Sequence, residues 1–114
     1  MHVLITARHL ELSPEVKAYA EEKAMRLLKY YDLIQEIEVV VEPAEKGQHH
    51  VEMIIDAEHK NMFVANSRCD IVEHCVDDCF HKLERQLTEH KAKHRNRKHP
   101  GKGAETATIR QPAV

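Results

Sequence analysis

Two stretches of strict alternation constrain this chain more than any other feature. In Glu36-Ile37-Glu38-Val39-Val40-Val41-Glu42, Ile37, Val39 and Val41 face one way and the glutamates mostly the other. In the second stretch Val51, Met53, Ile55 and Ala57 alternate with Glu52, Ile54, Asp56 and Glu58. A period of two describes a strand with one dry face and one wet face, so the sheet that holds these strands needs a cover on one side only. Two amphipathic segments can supply it. Val16, Ala20, Ala24, Leu27 and Tyr31, widened by Leu28, recur at helical spacing, as do Val72, Val76, Cys79, Phe80, Leu83 and Leu87.

Local signals place the boundaries. Val3-Leu4-Ile5-Thr6-Ala7 reads as a short opening strand, and Ser13-Pro14 as a helix start, with a capping hydroxyl and a proline at the first helical position. Pro43 ends the second strand, Glu45-Lys46-Gly47-Gln48 is a turn, and Glu58-His59-Lys60-Asn61 is a hairpin connection without the favoured Asn-Gly pair. Met62-Phe63-Val64-Ala65 forms a fourth strand. Ser67 with Asp70 three residues later resembles a capping box for the last helix, which without a breaker before Pro100 runs to about Lys93. The expected fold is α+β: a two-layer β-α-β-β-β-α unit, its four-stranded sheet carrying both helices on one face. That unit spans residues 1–95, and residues 96–114 read as a basic, disordered tail.

Charge is distributed unevenly along this fold. Residues 1–81 hold 8 Lys/Arg against 16 Asp/Glu, whereas residues 82–114 hold 9 against 3, so a net charge of −2 conceals a basic arm on an acidic body. Such asymmetry points to a polyanionic partner. On the last helix Lys82, Arg85 and Lys93 share one exposed flank with Gln86 beside them, Lys91 and Arg95 emerge on the opposite flank, and Arg97 and Lys98 follow. On the first helix Arg26 and Lys29 point away from the apolar stripe, and Lys23 lies at its edge with its stem packed and its amine wet. Two helices side by side would merge these groups into one cationic ridge able to hold phosphates. The bland alternative is a solvated helix face, partly neutralised by Glu84 and Glu89. Five aromatic residues and no tryptophan argue against a base-stacking platform.

Other chemistries find less support. Cys75 and Cys79, four residues apart with His74, His81 or Cys69 nearby, could point at one metal, but both lie on or beside the apolar stripe, where a free cysteine acts as a small hydrophobe. No metal or cofactor is therefore expected. The odd cysteine count in one short stretch is unlike a secreted disulfide framework and suits a reducing cytoplasm. Outward glutamates are explained by alternation, His49, His50 and His59 read as exposed polar residues, and no phosphate loop or nucleophile motif is present, so an enzyme acting on a small-molecule substrate is not expected. No apolar run approaches the roughly 20 residues that cross a membrane.

Several motifs then converge. Lys82-Leu83-Glu84-Arg85-Gln86-Leu87 followed by His90-Lys91 resembles the helix-end signature of the ribosome hibernation promoting factor family, also called the sigma-54 modulation protein or ribosome-associated inhibitor family. Ile5-Thr6-Ala7-Arg8-His9 before Leu12-Ser13, Lys23, Arg26-Leu27, Tyr30-Tyr31-Asp32 and Val76-Asp77 are similar to further family positions, over residues 1–95. The chain departs from the family pattern at Glu73, where a tyrosine is common, and at Thr88 and Glu89, where basic residues are common. The resemblance implies a cytoplasmic short-form translation inhibitor of starvation or stationary phase, without the extra dimerisation domain of long forms. It implies that the protein sits on small-subunit ribosomal RNA in the channel for messenger RNA and transfer RNA and excludes both sterically. Carried over by position, Lys23, Arg26, Lys82, Arg85 and Lys91 match basic family positions, and Lys93 and Arg95 extend the same arm. The alternatives are a protein–protein regulator of transcription and a metal-responsive module on Cys75 and Cys79.

Overall fold

In the computed structural model, which describes residues 1–97 and side chains as far as Lys93, the elements run in the expected order. They are β1 (His2–Ala7), α1 (Pro14–Arg26), β2 (Ile34–Pro43), β3 (His49–Ala57), β4 (Asn61–Cys69) and α2 (Val72–Arg97). The strands form one sheet in the order β1-β2-β3-β4. β1 and β2 are parallel, which requires a crossover, and α1 provides it; β3 and β4 follow antiparallel through short turns.

Alternation decides which face is covered. Ile37, Val39, Val41, Val51, Met53 and Ile55 all point under the helices and are fully buried. They meet Ala20, Ala24 and Leu27 from α1 and its following turn, and Val76, Cys79, Leu83 and Leu87 from α2. The paired register sets Ile37 opposite Ile55, Val39 opposite Met53 and Val41 opposite Val51, so a slip by one residue would turn this whole set toward water. Truncating Leu83 or Leu87 to alanine in such a core costs about 2–5 kcal/mol.

Boundaries differ from expectation where tertiary contacts override local signals. Ser13 caps α1 as read, its Oγ accepting from the Val16 N–H at 3.2 Å, with Pro14 next. Ser67, by contrast, does not cap α2. It lies within β4 opposite Val51, because the β3–β4 ladder continues to Cys69, and α2 starts at Val72 with Ile71 carbonyl contacts behind it. β3 likewise begins at His49, so His49 and His50 are half-buried strand residues with partners in Asp70 and Glu42, not free polar groups. The apolar stripe through Tyr31 persists, but α1 tightens after Arg26 into a 3₁₀ turn at Leu27–Lys29. In the β3–β4 hairpin His59 and Lys60 both adopt positive φ, near 65° and 61°, without the Asn or Gly that usually absorbs the roughly 1–2 kcal/mol per residue this costs.

The cysteines differ too. Cys69 at the end of β4 and Cys75 in the first turns of α2 form a disulfide, tying strand to helix, so Cys75 is not the free small hydrophobe expected. Cys79 is the free, buried thiol, and burial pushes its pKa up to about 12.

α2 outruns the sheet. At 1.5 Å per residue its 26 residues span roughly 39 Å, against about 30 Å for a nine-residue strand. The described residues measure 53 × 29 × 19 Å, far from spherical. Residues 98–114, most of the expected tail, lie outside the described residues.

Candidate nucleic-acid interface

β1 and β4 point the same way, and each is followed by a helix that returns, so α1 and α2 lie parallel on the sheet. Their seam is polar along its outer rim. The Tyr19 hydroxyl donates to Asp77 Oδ1 at 2.5 Å, and Lys23 Nζ lies 3.4 Å from the same oxygen and 4.9 Å from the centre of the Phe80 ring. Asp77 therefore clasps two residues one turn apart on α1. The bond to Asp77, with burial second, raises the Tyr19 pKa to about 12. Further along, Tyr30 meets Phe80 edge-on, and its hydroxyl, held by Glu84, is also raised above its usual pKa. The seam closes where His90 packs edge-on against Tyr31 and Phe63, with ring centres 5.4 and 5.2 Å apart.

The cationic residues expected at the interface fall into two groups. Lys23 is drawn into the seam, its side chain only 17% exposed, so its charge is shared with Asp77. Arg26 is more open, 49% exposed, and pairs loosely with Glu22 one turn back. Lys82 bridges Asp78 at 3.3 Å and donates to the Asn66 carbonyl at 2.9 Å. The Ser67 hydroxyl first, and the Lys82 ammonium after it, hold the Asp78 carboxyl below its ordinary pKa. Arg85, Lys91 and Lys93 are exposed and form no ion pair with any described residue. The helix backbone carries Arg95, whose side chain lies outside the described set.

Thus α2 carries Lys82, Arg85 and Lys93 on one flank, with exposed Glu89 among them, and Lys91 on the other, while Lys23, Arg26 and Lys82 are partly neutralised in place. Glu84 is turned toward Tyr30 and His81, and Glu89 stays exposed beside Arg85. Sequence reading missed the Asp77 clasp, because residues on separate elements show no common spacing. It also missed a second role of Lys82. Together with Gln86 Nε2, which donates to the Val64 carbonyl at 3.0 Å, Lys82 covers carbonyls of the edge strand β4. An open strand edge invites pairing with another chain, and these two side chains blunt it. The metal alternative loses its ligands: the Cys75 sulfur is bonded to Cys69, Cys79 is a buried thiol, and no cluster of three metal-ligating side chains occurs among the described residues.

Comparison with known proteins agrees with this architecture. The ribosome hibernation promoting factor of Pseudomonas putida is 30% identical over 102 residues, covering 82% of this chain and 89% of that protein. Its counterpart in Azotobacter vinelandii is 31% identical over 101 residues, covering 82% and 85%. Among solved structures, a ribosomal subunit interface protein from Coxiella burnetii superposes with a TM-score of 0.73 at 27% identity, over 81% of this chain and 99% of that one. The N-terminal domain of Thermus thermophilus Protein Y does so with a TM-score of 0.65 at 25% identity, over 76% and 93%. The family model for sigma 54 modulation protein / S30EA ribosomal protein matches residues 3–95, the whole two-layer unit with its α2 edge, and the chain belongs to that family.

Proposed function

We propose that this protein is a ribosome hibernation factor of the cytoplasm, which binds small-subunit ribosomal RNA through the α2 edge and inhibits translation by occupying the space of messenger RNA and transfer RNA. The observation that carries the reading is the exposed run Arg85, Lys91 and Lys93 on a helix longer than the sheet beneath it. Lys82 and Arg26 flank that run, and Arg95 continues it. Each lysine or arginine that neutralises a phosphate releases condensed counterions, so affinity comes from charge placed along a rigid rod. No group needs to react: inhibition by this route is exclusion, which takes a stable body and a phosphate grip.

Lys23 has a different part in this reading. Clasped by Asp77, it fixes the angle between the helices and lends only part of its charge to the ridge. The family relatives named as hibernation promoting factors support the ribosome as the partner.

Sedimentation with purified small subunits tests the proposal. The chain is expected to co-sediment at low salt and be displaced by messenger RNA with bound transfer RNA. Arg85→Glu combined with Lys91→Glu, both on exposed helix positions, is expected to abolish co-sedimentation while the circular dichroism spectrum is unchanged. Undiminished binding by that folded variant would remove the α2 edge from the mechanism.

A further inference from the structure

The sheet face away from the helices has no cover in the described structure, and its composition is unlike a merely solvated surface. Three of the six exposed large hydrophobic residues among those described, Leu4 (42%), Met62 (63%) and Val64 (40%), lie on it. Register sets Ile54, Val64 and Met62 together on β3 and β4, with Leu4 across Glu38 from them. Leu4, Glu38, Ile54 and Val64 form one cross-strand row, and Met62 sits two residues before Val64 and opposite Asp56. Four carboxylates, Glu36, Glu38, Glu52 and Asp56, stand in this row or beside it, and Glu42 lies two rows away. Glu38 accepts from the Thr6 hydroxyl and Glu42 meets His50, while Glu36, Glu52 and Asp56 form no ion pair with a described residue. Arg68, at one end, is the single lysine or arginine in the four strands.

Apolar surface clustered on a sheet face marks an interaction site, and the charges around it select the occupant. RNA is repelled by this carboxylate array. A lysine- or arginine-rich polypeptide fits it, since such side chains lay aliphatic stems on apolar surface and carry the charged group to the rim. Here the stems would lie on Ile54, Val64 and Met62, and the cationic groups would reach Glu36, Glu52 and Asp56.

We infer that the open sheet face is a second docking surface, which takes a lysine- or arginine-rich protein segment of the small subunit while the α2 edge holds RNA. This rests on the ribosomal reading above and deepens it. The molecule is a two-sided wedge between two chemistries, acidic toward protein and basic toward RNA.

A charge-reversal experiment separates the possibilities by sign. Glu36→Lys, Glu52→Lys and Asp56→Lys together leave the buried face untouched, and circular dichroism verifies folding. If the face meets cationic protein, affinity for purified small subunits falls by about tenfold, the combined scale of three modest ion pairs. Affinity for protein-free small-subunit RNA stays level or rises. Unchanged or tighter binding of the triple variant to subunits overturns the inference and leaves the RNA reading standing; a parent chain that does not bind subunits at all overturns both. As a second measurement, a photo-cross-linking residue at Met62 in the full chain bound to purified subunits is expected to label a lysine- or arginine-rich segment, mapped by mass spectrometry. Labelling of RNA, of a second copy of the chain, or of nothing overturns the inference.

Discussion

Removing the Asp77 carboxylate measures what holds the two helices together. In Asp77→Ala, Tyr19 loses a hydrogen bond to an ionised acceptor and Lys23 loses its ion pair. Hydrogen bonds to charged groups contribute about 1.5–3 kcal/mol and exposed ion pairs about 0–1 kcal/mol. Because the Asp77 side chain is 36% exposed, water replaces part of both, and a total of about 2 kcal/mol follows from the lower half of those ranges. For a domain of this size that is a fall of about 10 °C in melting temperature. The pH dependence gives an independent check. Tyr19 has a folded pKa of about 12, above its ordinary value of 10. The Tyr19 part of the clasp's contribution is therefore full below pH 10 and is lost as pH rises from there toward 12. Urea unfolding of the parent and Asp77→Ala proteins should show the stability gap narrowing across that window. Tyrosinate absorbance, with Tyr19→Phe to assign the signal, should place Tyr19 back near its ordinary pKa in the variant. Equal unfolding midpoints at neutral pH, or a Tyr19 titration indifferent to Asp77, would refute the clasp.

Three further outcomes follow from the same geometry. If the α2 edge neutralises about five phosphates, the logarithm of the binding constant for small subunits should fall with the logarithm of salt concentration at a slope of order −4, and Arg85→Ala should shallow it by about one. A thiol reagent should leave Cys79 unmodified in the native protein at neutral pH and label it on unfolding, because burial holds its pKa near 12. Gln86→Ala should uncover the Val64 carbonyl on β4, cost about 1 kcal/mol in urea unfolding and increase concentration-dependent association seen by light scattering.

The residues that announced the fold are those whose neighbours in sequence share their surroundings. Alternation at Ile37, Val39 and Val41 and helical spacing at Leu83 and Leu87 are local records of burial, and they gave element order, layering and the covered face. Ser67 shows where that logic fails. Its spacing from Asp70 is a sound capping pattern, but the ladder to Val51 outcompetes a local hydroxyl contact, so the strand continues. Cys69 and Cys75 misled for a related reason: six residues apart in sequence, they meet only because β4 turns directly into α2. At the candidate interface the exposure of Arg85, Lys91 and Lys93 was legible from helical angle. The diversion of Lys23 to Asp77 and of Lys82 to Asp78 and Asn66 was not, since each depends on how separate elements are set against one another.

The parallel course of the two helices has one more effect. Both amino-terminal ends, where unpaired backbone amides and the positive pole of the macrodipole could cradle an anion, lie at the same pole of the molecule, and acidic Glu15 and Glu73 occupy their first turns. Lys23 and Arg26 lie in the last turn of α1, and Lys91, Lys93 and Arg95 toward the end of α2, nearer the partial negative charge of the carboxy-terminal turns. Any grip on a polyanion must then come from long, jointed side chains instead of fixed peptide dipoles. Such fingers adapt to phosphates at varied spacings and favour the contour of a folded strand over its base order.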